Sequence, residues 1–342
     1  MKKITVTSFY LPPTDRIGAG VQLHTLANAY ADLGFEVSLV SPQESKEVGS
    51  KYDLQCMPIN GTNRVVKWAI ELARFRYNSG LVHFGGDNHL VRKSRHSVYM
   101  RTFLGSCFAE MKVATNTRDK LRMTYLGLTE LLGQVNVDIS TVISADTNRY
   151  FLKPNHVVPC GVDLTKFRPG GRKTTNPTIL FVGMIDSRKR GRLLVDAFNS
   201  IVRSHFPAAE LWIVRDSQAV DSPGVRVFGS VSEEELIRMY QESWCFCLPS
   251  SYEGFGVPYI ESLACGTAVV STPNAGAIEV LGNGKYGVMS SPECLGETLV
   301  SVLSDETLRA SMVSQGLDYV RKFDIRTVAL QYIELAESTG KQ

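Results

Sequence analysis

Two glutamates, Glu253 and Glu261, stand with seven residues between them around the loop Gly254-Phe255-Gly256-Val257. A carboxylate has two acceptor oxygens and can take a pair of hydroxyl protons at once. Gly254 and Gly256 bare the backbone where something must approach closely. Pro258 and Gly266 bound a short helix, and free amides at its N-terminus suit an anion. A second group, Arg188-Lys189-Arg190, follows Gly183 in residues 181–191 and could supply countercharge to that anion. A third is the run Asp15-Arg-Ile-Gly-Ala-Gly-Val-Gln-Leu-His24, with Gly18 and Gly20 ahead of the first helix. The chemistry these types suit is capture of a phosphate-bearing ligand. Plainer readings stay open for each group: Glu253 as a solvated loop residue, Glu261 as a charge favoured by the helix dipole, and the basic run as a solvated turn.

Positioning these groups falls to alternating strands and helices. Strands are predicted over 4–9, 36–40, 81–84, 97–101 and 138–144, with a helix over 21–33 closed by Gly34. A second series is predicted at 178–182, 210–214, 225–228, 244–248 and 268–271, with a helix over 192–202. Such alternation implies parallel sheets joined by right-handed crossovers. Between the series lies a proline- and glycine-rich segment, 152–171, the best boundary signal in the chain. A length of 342 residues suits about two domains. We expect them at 1–158 and 159–342, with the last helix, about 326–342, packing back on the first. Ligands of doubly wound sheets bind outside the carboxyl ends of the strands.

The 250–270 block resembles the donor-sugar site of glycosyltransferase family 4 (glycosyl transferases group 1), retaining enzymes of GT-B architecture. Val157-Val-Pro-Cys-Gly-Val-Asp-Leu-Thr-Lys-Phe-Arg-Pro169 closely resembles that family's interdomain segment. The resemblance implies an α/β fold of two Rossmann-like doubly wound domains facing each other across a cleft. It implies a retaining, metal-independent transferase that moves a hexose-type sugar from a UDP-, GDP- or ADP-sugar to a hydroxyl acceptor. That acceptor would be a glycan, a lipid-linked glycan or a small molecule, in cell-envelope glycan or glycolipid synthesis, with no cofactor beyond the donor. In this reading Lys189 holds the donor diphosphate, Glu253 contacts the donor sugar and steadies its cationic face, and Glu261 takes the ribose hydroxyls. Arg188, Gly254, Phe255, Gly256, Val257, Gly18 and Gly20 complete donor binding. Three positions depart from the family: Met184 where an arginine is frequent, Arg101-Thr-Phe-Leu where many members carry a histidine, and 213–218 where a glycine pair is usual. His83 and His96 do not match that histidine in register. A sugar-nucleotide 2-epimerase, a phosphorylase or a non-catalytic sugar-nucleotide-binding protein are the other readings.

Several classes are disfavoured. The glycine run lacks the third glycine of a dinucleotide fingerprint, which speaks against a nicotinamide cofactor. No Asp-x-Asp pair occurs to hold a cation for a metal-dependent transferase. The seven cysteines, most within apolar runs, read as small buried hydrophobes of a reducing cytoplasm. No apolar run is long enough to span a bilayer, and the N-terminus enters a strand without a signal peptide's pattern. Lys and Arg number 19 against 13 Asp and Glu before residue 154, and 18 against 21 after it, so the net +3 conceals a basic first part. Its cations gather at Arg64, Lys67, Arg74 and Arg76 and again at 92–95. This face reads either as solvated helix surface or as attraction to an anionic acceptor or the inner face of a membrane. No nucleic-acid-binding motif accompanies the charge.

Overall fold

The computed structural model describes residues 2–14, 17–114, 116–153, 155–216 and 220–341. Asp15, Arg16, Pro154, Ser217 and Gln218, named above, lie outside the described residues. The chain divides into two compact units, Met1–Gly161 with Phe323–Gln342, and Val162–Lys322.

Among the described residues the first unit holds β1 (Lys3–Thr7), β2 (Glu36–Ser41), β3 (Asp53–Cys56), β4 (Leu81–Phe84), β5 (Val98–Phe103), β6 (Ile139–Val142) and β7 (His156–Val157). All pair in parallel, in the order β3-β2-β1-β4-β5-β6-β7. Every residue of β4 and β5 is buried, as parallel strands covered on both faces require. The helices are α1 (Gly18–Asp32), α2 (Arg64–Arg74), α3 (Cys107–Val113), α4 (Thr117–Val135) and α5 (Ala145–Asn148). α1 begins three residues before the predicted start, so Gly18 and Gly20 form its first turn rather than a loop. The reason is contact: a Cβ at Gly20 would lie 2.6 Å from the carbonyl oxygen of Tyr10, so only a bare Cα lets the turn pack there.

In the second unit, β8 (Thr178–Val182), β9 (Glu210–Val214), β10 (Val225–Phe228), β11 (Cys245–Leu248), β12 (Ala268–Ser271) and β13 (Val288–Met289) pair in parallel in the order β10-β9-β8-β11-β12-β13. Strand order reverses between β8 and β11, which makes the loops after these two strands the expected ligand edge. The helices are α6 (Gly191–Ala197), a π-helical turn Phe198–Val202 that runs into α7 (Arg203–His205), then α8 (Glu233–Glu242), α9 (Val257–Ala264), α10 (Ala275–Val280), α11 (Leu295–Ser304) and α12 (Glu306–Tyr319). α8 is capped by Ser232, whose side chain accepts from Glu235 N–H, and three glutamates sit in its first turn where the dipole favours them.

α13 (Ile325–Glu337) returns to the first unit. Its Val328, Ala329, Tyr332 and Ile333 join one core with Ile4 and Val6 of β1 and Leu23, Leu26 and Tyr30 of α1. The first unit extends past 158 to Gly161 because Gln22 grips that residue, accepting from its N–H at 3.1 Å and donating to its carbonyl at 3.0 Å. His83 lies wholly inside this unit between the Tyr30 and Thr102 hydroxyls, its pKa pushed down by burial to about 3. Cys160, Cys245, Cys247 and Cys265 are buried as predicted, whereas Cys56 on the edge strand β3 and Cys294 at the start of α11 are exposed.

Candidate functional site

Three loops at the carboxyl edge of the second unit's sheet are stitched together through backbone. The β8–α6 loop carries Arg188, Lys189 and Arg190, the β11–α9 loop carries Glu253 to Gly256, and the β12–α10 loop carries Thr272 and Asn274. Arg190, in a left-handed conformation with φ 53°, aims its guanidinium at the carbonyls of Pro249 (2.6 Å) and Ser250 (3.1 Å) and at the Thr272 hydroxyl (2.7 Å). Ser251 donates from its N–H and from its hydroxyl to the Arg188 carbonyl, at 2.8 and 3.1 Å. The Asn274 side chain caps α10 by accepting from Ala277 N–H and donates to the Ser250 carbonyl at 3.2 Å. Gly276 donates to the Glu253 carbonyl at 3.0 Å, and a Cβ there would lie 2.6 Å from the Phe255 carbonyl oxygen. These contacts hold the three loops in one shape largely through backbone carbonyls.

The functional side chains sit on that frame. Arg188 Nη1 lies 2.9 Å from Glu253 Oε1 and also donates to the Tyr252 carbonyl. The Ser250 hydroxyl donates to the same Glu253 oxygen at 2.8 Å, and Glu253 is only 6% exposed. Lys189 folds back so that its Nζ donates to the Val182 carbonyl at 2.8 Å, its stem covering Gly183, where a Cβ would lie 2.3 Å from Lys189 Cδ. Phe255 is buried, and Gly256 precedes α9 with φ 93°, a left-handed conformation that a side chain would strain, here also colliding with the Tyr259 ring. Val257 and Pro258 open α9. Glu261, one turn on, accepts from the Tyr240 hydroxyl at 2.9 Å.

Burial pushes the Lys189 ammonium below its ordinary pKa; the carboxylates of Glu253 and Glu261 oppose the fall, while Arg188 and Arg215 add to it. Burial likewise pushes Glu261 up, against the charge of Arg215 and the Tyr240 hydrogen bond. Arg215 follows β9, exposed and left-handed at φ 69°. The β8–β9 register sets Val182 beside Val214, and Gly183 N–H donates to the Val214 carbonyl at 2.8 Å, so Arg215 shares an edge with Gly183 and the exposed Met184. The result is a rim with two carboxylates, three arginines and a lysine whose charged form burial disfavours. An added anion would relieve Lys189, and hydroxyls would satisfy the carboxylates.

Among the described residues, the first unit gathers no comparable constellation around Gly18 and Gly20. Gly18 has open space around it, and the need for Gly20 is met by packing on Tyr10. Arg101 is buried, its Nη1 on Asn88 Oδ1, its guanidinium 4.4 Å over the Phe103 ring and its Nε without a partner. His96 is exposed, and His24 is buried in α1 with its Nδ1 2.8 Å from the Tyr52 hydroxyl. Of the basic group at 64–76, Lys67 holds the Asn60 carbonyl, Arg74 pairs with Glu71 and Arg64 lies over the Phe9 ring, while the intervening Trp68 is buried. Sequence reasoning missed Ser250, Asn274, Gly276 and Arg215 and read Arg190 as countercharge, whereas its guanidinium holds the Pro249 and Ser250 carbonyls. An Asn-x-Gly pair directly after a buried strand is an N-cap signal that could have flagged two of them.

The sequence model of the family "Glycosyl transferases group 1" matches residues 163–318. A phosphatidyl-myo-inositol mannosyltransferase of Mycobacterium tuberculosis is 29% identical over 204 residues, 54% of either chain. A probable sucrose-phosphate synthase of Thermosipho melanesiensis is 27% identical over 208 residues, 53% of this chain and 47% of its own. The chain thus spans about half the length of the curated relatives it matches. Among solved structures, a sucrose-phosphate synthase from Thermosynechococcus elongatus superposes with a TM-score of 0.82 at 20% identity, covering 99% of both chains. Anabaena HepE, solved with UDP and glucose, gives 0.75 at 15% identity over 99% of this chain and all of its own. These likenesses show the fold, two Rossmann-like units of the GT-B type.

Proposed function

We propose that this chain, whose second unit matches the glycosyl transferases group 1 model, is a retaining glycosyltransferase that uses a nucleotide diphosphate sugar and no metal ion. The observation that carries the reading is the rim just described: Glu253 and Glu261 flank a glycine loop whose approach Arg188 and Arg190 hold from the neighbouring β8–α6 loop, with Lys189 folded back on the Val182 carbonyl beside them. The donor's diphosphate meets Lys189, with Arg188 and Arg215 as neighbouring cations and the amides opening α9 as donors. Stabilising the charge that leaves is the largest electrostatic task of such a reaction. Glu261 takes the ribose hydroxyls beside Tyr240. Glu253 has Oε1 fixed by Ser250 and Arg188 and offers its other oxygen to the donor sugar.

In the transfer the bond from the sugar's anomeric carbon to phosphate breaks, and the acceptor oxygen bonds to that carbon on the same face. The acceptor's proton passes to the leaving phosphate, so no protein base is required. The acceptor is a hydroxyl of a glycan, lipid-linked glycan or small molecule in envelope glycan or glycolipid synthesis, a reading supported by the inositol-lipid mannosyltransferase among its relatives. No helix among the described residues is long and apolar enough to cross a membrane, and a cytoplasmic enzyme working at the membrane's inner face accords with that. The test is a screen of UDP-, GDP- and ADP-sugars in excess chelator, with the product's anomeric coupling read by proton NMR. An α-linked product from an α-linked donor, formed without metal, is expected. A β-linked product, or activity lost to chelator, would overturn the mechanism.

A further inference from the structure

α4 breaks the rule that a helix of a globular unit turns its apolar stripe inward. Leu121, Tyr125, Leu128, Leu132 and Val135 are 68, 49, 54, 56 and 46% exposed. At about 100° per residue they fall within roughly 80° of the helix circumference, a continuous seam along a helix about 28 Å long. The opposite side is seated normally: Gly127 meets the Phe108 ring of α3, the Gly133 carbonyl accepts from Asn88, and Glu130 accepts from Cys107 N–H. α4 is therefore anchored, and its apolar seam is presented outward by a folded frame. Val113, the last residue of α3, is exposed as well.

Charge says what covers the seam. Arg118 and Arg122 border one side and Lys120 the other, all exposed, with exposed Lys112 at the near end of α3. The acids on these two helices are less available: Asp119 is bonded by the Asn116 side chain at 2.6 Å, Glu130 is turned inward on Cys107, and Glu110 is half-buried. We propose that the α4 seam docks the protein on an anionic lipid bilayer, with the leucines in the acyl boundary and the flanking cations among the headgroups. A second copy of this chain would instead bring these cations toward their own equivalents.

This inference goes beyond the proposed activity and is tested without donor or acceptor. The full chain is sedimented with vesicles of phosphatidylcholine alone or with roughly one-third phosphatidylglycerol. We expect binding to the anionic vesicles and little to the neutral ones. The triple variant Leu121→Gln, Leu128→Gln, Leu132→Gln, checked for folding by circular dichroism, should bind at least about tenfold more weakly, having lost its buried apolar area. Arg118→Gln, Lys120→Gln and Arg122→Gln should each cost about fivefold and reduce the salt dependence. Tyr125→Trp supplies an independent reading, its emission shifting blue and quenched by brominated acyl chains. Vesicle binding that ignores the triple variant, or no binding at all, overturns the proposal. Self-association in light scattering that the triple variant abolishes, without vesicle binding, overturns it in favour of a second copy.

Discussion

The two units use the carboxyl edges of their sheets in opposite ways. In the second, short loops are held to one another by backbone carbonyls, each gripped by Arg190, Ser251 or Asn274, and the charged groups stand on that rigid rim. In the first, the edge beyond β5 is built up by two added helices, α3 and α4, and its most unusual surface is apolar and turned outward. Fixed polar loops suit an invariant charged ligand. An outward seam on a long helix suits a broad surface. On the two proposals above, one edge serves chemistry and the other adhesion.

The contrast breaks most easily at the rim. Lys189→Ala and Glu253→Gln should each lower turnover by about 100-fold or more, the scale for losing one charge-stabilising group, and, since both side chains are seated in buried contacts, cost about 1–3 kcal/mol of stability that leaves the protein folded at the assay temperature. Near-normal rates in either variant, measured with the right donor, would remove these residues from the site. Gly276→Val probes the stitching instead. Its side chain would meet the Glu253 and Phe255 carbonyls at 2.8 and 2.6 Å. We expect a stability loss of about 1–3 kcal/mol together with a turnover loss in thermal and kinetic assays. Unchanged turnover would mean that the loop does not need its present shape.

A subtler test addresses the first unit's edge. Burial pushes Asp87 up to about 6, against the charge of Arg101. A carboxyl raised above its ordinary value favours the folded state in its protonated form, so that stability is full in acid and is lost as pH climbs through about 4 to 6. Asp87→Asn, compatible with the left-handed backbone at φ 56°, should therefore raise the thermal midpoint by a few degrees above pH 7 and leave it unchanged below pH 4. An equal shift at every pH would mean that the carboxyl's ionisation is not the cause. The smallest effect belongs to Gly18→Ala. With open space around it, stability should change by no more than about 0.5 kcal/mol. A fall in donor affinity at intact stability would give Gly18 the donor role that family resemblance implies.

What could be read from the sequence follows the same divide. Strands 178–182, 210–214 and 268–271 were legible to the residue because buried parallel strands are short apolar runs between turn signals, and the part-exposed edge strand 225–228 was legible as well. β3 was not, since its four residues lie on an exposed edge and carry no such run, and β7 and β13 have two residues each. The rim was legible because glycines and charges at fixed spacing define it, and the family model also covers that unit alone. Arg190 was legible as a cation but not as a clamp, because its task is to hold carbonyls, which any chain supplies and no motif records. α4 escaped for a different reason: a seam of Leu121, Leu128 and Leu132 reads as core in sequence, and only the fold shows which side was left bare.

The return of α13 to the first unit sets the order in which the protein can be made. Its Val328, Ala329, Tyr332 and Ile333 belong to the core of β1 and α1, yet Val162–Lys322 must be translated before they emerge. At roughly 5–20 residues per second that interval is on the order of 10–30 s. Throughout it the second unit can complete itself while the first waits with an open apolar flank beside α1. The half of the molecule that is synthesised first is thus finished last, and the nascent chain's exposure to chaperones or aggregation is concentrated on that one unfilled groove.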